Sequence, residues 1–158
     1  MSTPQGLPVV LLPIGVDDDA LDACLGALDA NTPAGSRVWL IDDAQAGPRA
    51  QAIVERWLKR TPLTADYSRR PRGIGEVAHL DQALAACGDA DVVVLAADAM
   101  PLPGWLQQLA ACFARDASIA TATPWCNAGE TAAWPGTIVA VAFTLTGVRP
   151  VKYRVRSR

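Results

Sequence analysis

The chain has 158 residues, of which 51% are hydrophobic, 19% charged and 6% aromatic, with a formal net charge of −2. That mixture is too apolar for a disordered segment, and the length supports one domain whose core needs neither disulfides nor a structural metal. The charge is uneven: residues 1–148 carry −7, while Arg149, Lys152, Arg154, Arg156 and Arg158 place +5 in the last ten positions.

From the amino terminus, the apolar run Leu7 to Ile14 spans eight residues, contains two prolines and has no basic region before it. It is too short to cross a membrane, lacks the features of a signal peptide, and reads as a buried strand from Pro8 to Ile14. Asp17 to Asp19 supply a cap and negative charge for a first helix, on which Leu21, Cys24, Leu25 and Leu28 recur at helical spacing. Thr32-Pro33-Ala34-Gly35 ends that helix, and Arg37 to Ile41 forms a second apolar strand. A second helix carries Ile53, Val54, Trp57 and Leu58, followed by a weaker strand from Thr64 to Arg69 and a third helix from Ile74 to Ala86. Asp91 to Leu95 is the next strand. Pro103 takes a first-turn position before a helix striped by Trp105, Leu106, Leu109, Cys112 and Phe113, and Ile119 to Thr123 is a fifth strand.

Strands that are apolar throughout, alternating with helices, predict an α/β fold with a mostly parallel central sheet covered on both faces. Beyond it, Thr137 to Thr146 is apolar and β-branched, and Lys152 to Arg156 alternates as a strand with one polar face. This tail is expected to cover an otherwise exposed surface, within the chain or by exchange with a second copy to give a homodimer. Its charge also fits a solvated terminus, contact with an anionic membrane surface or with nucleic acid, or docking on the acidic body.

Cys24, Cys87, Cys112 and Cys126 form no paired motif, and His79 is the only histidine, so zinc and dithiol chemistry are not expected. Free thiols among alanines and leucines fit a reducing compartment and a cytoplasmic location. His79 reads as a helix histidine among apolar neighbours, satisfied or on the surface. Gly73-Ile74-Gly75 opens a helix after a strand, but Ala78 replaces the third glycine of a dinucleotide fingerprint and the unit is the third in the chain. In a parallel sheet, ligands bind beyond the carboxyl ends of the strands. Those positions hold Gly15-Val16-Asp17, Asp42-Asp43, Arg69-Arg70 with Arg72-Gly73, and Ala96-Ala97-Asp98. Carboxylates and arginines converging there suit a ligand with a base or sugar to hydrogen-bond and phosphates to neutralise.

These residues resemble the nucleotide-sugar-binding half of inverting family 2 glycosyltransferases. Val9 to Ile14 resembles the family's first strand, and Leu40-Ile41-Asp42-Asp43-Ala44 its V-D-D-x-S strand end. Gly75 to Leu84 followed by Gly88-Asp89 resembles its third helix and G-D turn. Val92 to Ala99, Pro103-Gly104-Trp105-Leu106 and Thr123-Pro124-Trp125-Cys126-Asn127 are similar to the L-N-S-D-T, P-G-W-L and P-x-x-N succession of rhamnosyltransferase-like members. The resemblance covers roughly residues 8–130.

It implies a GT-A fold, a Rossmann-like sandwich, with residues 1–136 forming the nucleotide-sugar-binding domain and 137–158 the strand-like apolar segment and basic tail. Carried over, Pro13, Ile14 and Gly15 line the nucleotide pocket, Asp42 and Asp43 lie near base and ribose, and Arg72 and Gly73 border base and diphosphate. Asp98 matches the last acid of the metal-binding D-x-D, which in the family holds Mg²⁺ or Mn²⁺. The implied activity is transfer of a sugar from a nucleotide-diphosphate donor to a saccharide or lipid-linked acceptor, with no nucleic-acid partner. Three departures stand out: Ala96 replaces the first acid of D-x-D, Asp81 the third helix's asparagine, and Ala44-Gln45 the hydroxylic end of D-D-x-S. After Glu130 only 28 residues follow, where the family normally carries the acceptor site and general base. No catalytic base is assigned, and a minimal or truncated transferase is expected. The alternative is a non-catalytic GT-A-like module that binds nucleotide or a protein partner.

Overall fold

The computed structural model describes residues 6–115 and 118–124, and the backbone of residues 151–153. The elements alternate as β1 (Val9–Pro13), α1 (Asp18–Asn31), β2 (Arg37–Asp42), α2 (Pro48–Leu58), β3 (Thr64–Arg69), α3 (Glu76–Ala86), β4 (Val92–Val94), α4 (Trp105–Arg115) and β5 (Thr121–Ala122), with β6 (Val151–Tyr153) closing the series. The sheet order is β3-β2-β1-β4-β6-β5. β1 lies between β2 and β4 and is parallel to both, with Val10 opposite Val38 and Val93, and β3 runs parallel to β2. The parallel core and its βα alternation follow the sequence expectation.

Strand pleating sorts the apolar residues onto two faces. Val10 and Leu12 of β1, Val38 and Leu40 of β2, and Val93 of β4 pack with Leu21, Leu25 and Leu28 of α1, Ile53, Val54 and Trp57 of α2, and Trp105, Leu106 and Leu109 of α4. The alternate residues Leu11, Ile41 and Val92 pack with Ala83, and Leu80 and Leu84 of α3 join them half-buried. Three helices thus cover one face and α3 the other. The tryptophans in this core keep their indole N–H groups paired: Trp57 donates to Asp29 Oδ1 (2.9 Å) and Trp105 to the Thr32 hydroxyl (3.1 Å). Burial of an indole with its one donor satisfied avoids the desolvation penalty that would otherwise offset its packing.

The helix ends show why boundaries differ from periodicity. α1 begins as expected, with Asp17 Oδ1 accepting from Ala20 N–H at 3.0 Å, and it stops where Thr32 N–H closes on Leu28 C=O before Pro33. The third helix starts two residues later than the apolar pattern implies. Gly75 has φ 98°, a left-handed value, and the Ile74 and Gly75 N–H groups turn toward Asp43. Pro103 likewise precedes its helix instead of lying in the first turn, because Gly104 at φ 78° reverses the chain just before Trp105.

One strand expectation is corrected. Ile119 to Thr123 contracts to the two-residue β5, which among the described residues pairs with β6 alone. β6 lies antiparallel between β4 and β5, with Val151 opposite Val94 and Tyr153 opposite Val92. The carboxy-terminal strand thus satisfies the edge donors and acceptors of β4 that a fifth parallel strand would have taken. Thr137 to Thr146, Trp125, Cys126, Asn127, Glu130 and Arg154 to Arg158 lie outside the described residues.

Candidate functional site

The carboxyl ends of β1, β2 and β4 and the loop entering α3 open onto one cleft of about 910 Å³. Its floor and near wall come from Pro13, Ile14 and Gly15, where Ile14 N–H still donates to Ile41 C=O (2.8 Å) and holds the β1 end against β2. Asp17 and Ala20 at the head of α1 continue that wall, and Ala96, Ala97 and Asp98 close the β4 side. The far wall is Asp43 and Gln45 with Gly73, Gly75, Glu76, His79 and Leu80. A smaller groove of about 290 Å³ lies at the opposite, amino-terminal end of the strands beside Arg37, Trp39 and Cys87.

The two adjacent aspartates divide the work. Asp42 is fully buried and faces its own chain. Its Oδ1 accepts from the Gln45 and Ala46 N–H groups (2.7 and 3.1 Å), and its Oδ2 from the Tyr67 hydroxyl (2.9 Å), with Arg69 Nε at 3.1 Å. This carboxylate folds the turn between β2 and α2 around Ala44, whose φ is 60°, and it ties that turn to β3. Burial, together with the hydrogen bond to Asp42, pushes the Tyr67 phenol well above its ordinary pKa, so it stays a donor. Asp42 therefore stands outside the cleft lining.

Asp43 faces the cleft, 7% exposed, and spends its oxygens on the loop opposite. Oδ1 accepts from Ile74 N–H at 2.9 Å and Oδ2 from Gly75 N–H at 2.8 Å. The Ile74 hydrogen bond, helped by Gly75 and by the nearby His79 and Arg70, holds the Asp43 carboxyl below the usual carboxylate value against the opposing effect of its burial. Arg70 Nε and His79 Nδ1 each lie 3.9 Å from Asp43 Oδ1. Gly73 belongs to the same clamp: a Cβ there would stand 2.9 Å from the Asp43 carbonyl oxygen and 3.3 Å from Oδ2, so only glycine lets the two segments close. The far wall is consequently preformed by hydrogen bonds within the chain.

At the β4 end, Asp98 is exposed and lines the cleft, while Ala96 and Ala97 present methyl groups that also pack against the core. The Ala96 carbonyl points inward, accepting from Ala99 N–H (3.0 Å) and from the buried Cys24 thiol (3.8 Å). Burial, with a smaller effect of Asp98, pushes the Cys24 thiol up to about 12, so it behaves as a small neutral hydrophobe, as its helical spacing implies. Among the described residues no three histidine, cysteine, aspartate or glutamate side chains stand close enough to share a metal ion. The described residues alone therefore do not make a donor set that fits a divalent metal.

Of the residues that sequence reasoning places in a nucleotide pocket, Pro13, Ile14, Gly15, Asp43, Gly73 and Asp98 line this one cleft. Asp42 and Arg72 do not, Arg72 being exposed on the loop beyond it. Sequence reasoning passed over Gln45, Gly75, Glu76 and His79. His79 is the informative omission, since it sits one turn after Gly75 on a helix that starts at a strand end, which is the signal that places it on the cleft wall. Among the described residues no lysine or arginine lines the cleft, whereas Asp17, Asp43, Glu76 and Asp98 do.

The model of the family described as "Glycosyl transferase family 2" matches residues 10–155. No curated protein sequence matches the chain. Among solved structures, the chain is similar to the mannosyltransferase PcManGT from Pyrobaculum calidifontis in complex with GDP-Man and Mn²⁺. That match has 21% identity and a TM-score of 0.64, covering 75% of this chain and 35% of that one. It is similar also to S. aureus TarS 1-349, with 15% identity and a TM-score of 0.60 over 82% of this chain and 38% of that one. A third similar structure is GalNAc-T7 with UDP, GalNAc and Mn²⁺, at 17% identity and a TM-score of 0.63, covering 77% of this chain and 24% of that one. The chain thus spans about a quarter to two fifths of the length of these proteins. The parallel sheet with its flanking helices matches the fold of these glycosyltransferases, and the family model covers nearly the whole sequence: the chain belongs to glycosyltransferase family 2, with the GT-A fold.

Proposed function

We infer that the chain binds the nucleoside diphosphate of a nucleotide sugar in the strand-end cleft and serves as the donor-binding part of a glycosyltransferase. The single observation that carries this reading is the convergence of Pro13–Gly15, Asp43, Gly73 and Asp98, drawn from three strand ends and one loop, on one cleft of about 910 Å³. That volume suits a nucleotide-sized ligand. The preformed clamp of Asp43 on Ile74 and Gly75 offers a rigid wall against which a base can lie, and the exposed Asp98 carboxylate is free to accept from a ribose or sugar hydroxyl. The ligands of the similar structures, GDP-Man and UDP, belong to the same chemical class.

The donor is proposed to be a deoxyhexose nucleotide of the rhamnosyl type, following the resemblance of the Asp98 and Pro103–Leu106 stretches, and the acceptor a saccharide or lipid-linked saccharide. None of the described cleft carboxylates is assigned to deprotonating the acceptor. Calorimetric titration of the chain with UDP, GDP and dTDP tests the reading: saturable binding of one of them, weakened by Asp43→Ala, is expected. Absence of binding by all three overturns it.

A second reading, a non-catalytic nucleotide-binding module, is favoured by Ala96 at the β4 end. Hydrolysis or transfer of a nucleotide sugar that is abolished by Asp98→Ala excludes it.

A further inference from the structure

We propose that the β4-end turn, Ala96 to Asp98, does not hold a resident divalent cation, and that Ala96 is the residue that withholds the site. The assignment of this turn to the family's metal position rests on the donor-binding reading above. The chemistry of the turn does not depend on it.

Hard divalent cations take six or more oxygen ligands, and a protein that holds one unaided contributes several of them. The turn contributes one side-chain ligand. Asp98 presents a carboxylate to the cleft, but position 96 has only a methyl group, which packs on the core. The backbone at that position cannot substitute. The Ala96 carbonyl already accepts from Ala99 N–H at 3.0 Å and from the Cys24 thiol at 3.8 Å, both on the interior side. Two of the other cleft carboxylates already bond within the chain. Asp17 Oδ1 caps α1 through Ala20 N–H, and Asp43 is clamped on Ile74 and Gly75. Glu76 remains, but among the described residues no third metal-ligating side chain joins it and Asp98.

The test is titration of the full chain with Mn²⁺ alone, read by the electron paramagnetic resonance signal of free Mn²⁺, for the wild type, Asp98→Asn, Ala96→Asp and Ala96→Asn. The expected result is no saturable binding that depends on Asp98 up to on the order of 1 mM Mn²⁺. Ala96→Asp is expected to bind about tenfold tighter or better, and Ala96→Asn less strongly, as ligand charge falls. Submillimolar binding to the wild type that Asp98→Asn abolishes overturns the proposal, and so does a folded Ala96→Asp protein that gains no affinity. The wild-type and Asp98→Asn measurements decide the first point even if a carboxylate at position 96 prevents folding, which circular dichroism reports. Binding that survives Asp98→Asn lies elsewhere and supports the proposal. A parallel titration with UDP, GDP and dTDP in EDTA separates the two readings: if none binds with or without Mn²⁺, the donor-binding reading falls while the metal result stands.

Discussion

Asp42 and Asp43 are chemically identical neighbours whose side chains leave the strand on opposite sides, and the difference in their partners sets different consequences for substitution. Asp42→Ala removes the acceptor for two backbone N–H groups, the Tyr67 hydroxyl and Arg69, all within the fold. A stability loss of roughly 3 kcal/mol is expected in chemical denaturation, since buried groups lose charge-assisted partners. Asp43→Ala is expected to act on ligand affinity far more than on stability. Gly73→Ala forces a Cβ within 2.9 Å of the Asp43 carbonyl. It is expected to cost about 1–3 kcal/mol, as overpacking does, and to weaken nucleotide binding by displacing the clamp. A variant as stable as the wild type, with unchanged affinity, contradicts that geometry. The clamp also has a pH signature. Because the folded-state pKa of Asp43 is depressed, its contribution is complete above the ordinary carboxylate pKa and is lost as pH falls through the folded value, below about pH 4. Protection of the Ile74 and Gly75 amides, measured as exchange relative to the intrinsic rate at each pH, is expected to fall there, with no such fall in Asp43→Asn.

At the scale of elements, the sheet is buried unequally. α1 contributes Leu21, Leu25 and Leu28, each 1% exposed or less, to a face it shares with α2 and α4, while among the described elements α3 alone covers the other, with Leu80 and Leu84 only half-buried. Leu25→Ala is expected to cost about 2–5 kcal/mol and Leu84→Ala clearly less. Equal losses, measured by chemical denaturation, contradict the asymmetry. The elements themselves were legible because β1, β4 and the interior of β2 are apolar and the helices carry stripes at spacings of three and four. Even the weaker β3 was readable at both ends, Thr64–Arg69. The failures were tertiary. Nothing local in Ile119 to Thr123 tells that Val151–Tyr153 will come between it and β4, since strand pairing at a sequence distance of about thirty residues leaves no periodic trace. The start of α3 was misplaced for a related reason: Ile74 and Gly75 fit a helix by pattern, but their N–H groups are claimed by Asp43 from another strand.

For the whole molecule, the parallel topology is what turns scattered residues into a site. Pro13–Gly15, Asp43, Gly73 and Asp98 are separated by up to 85 residues in sequence, and only the β2-β1-β4 order brings their strand ends to one edge. The candidate site was legible to that extent, because strand-end positions can be read from the alternation of elements. Which of two adjacent aspartates faces the cleft was not, since that depends on the pleat and on partners such as Tyr67 and Ile74. The direct test of the central claim is a heteronuclear NMR titration of the chain with UDP, GDP or dTDP. Concerted shifts at the amides of Gly15, Ile74, Gly75 and Asp98, with one saturation curve, are the predicted result. Shifts confined to Arg37, Trp39 and Cys87 at the opposite end of the strands, or no shifts with any of the three nucleotides, would contradict it.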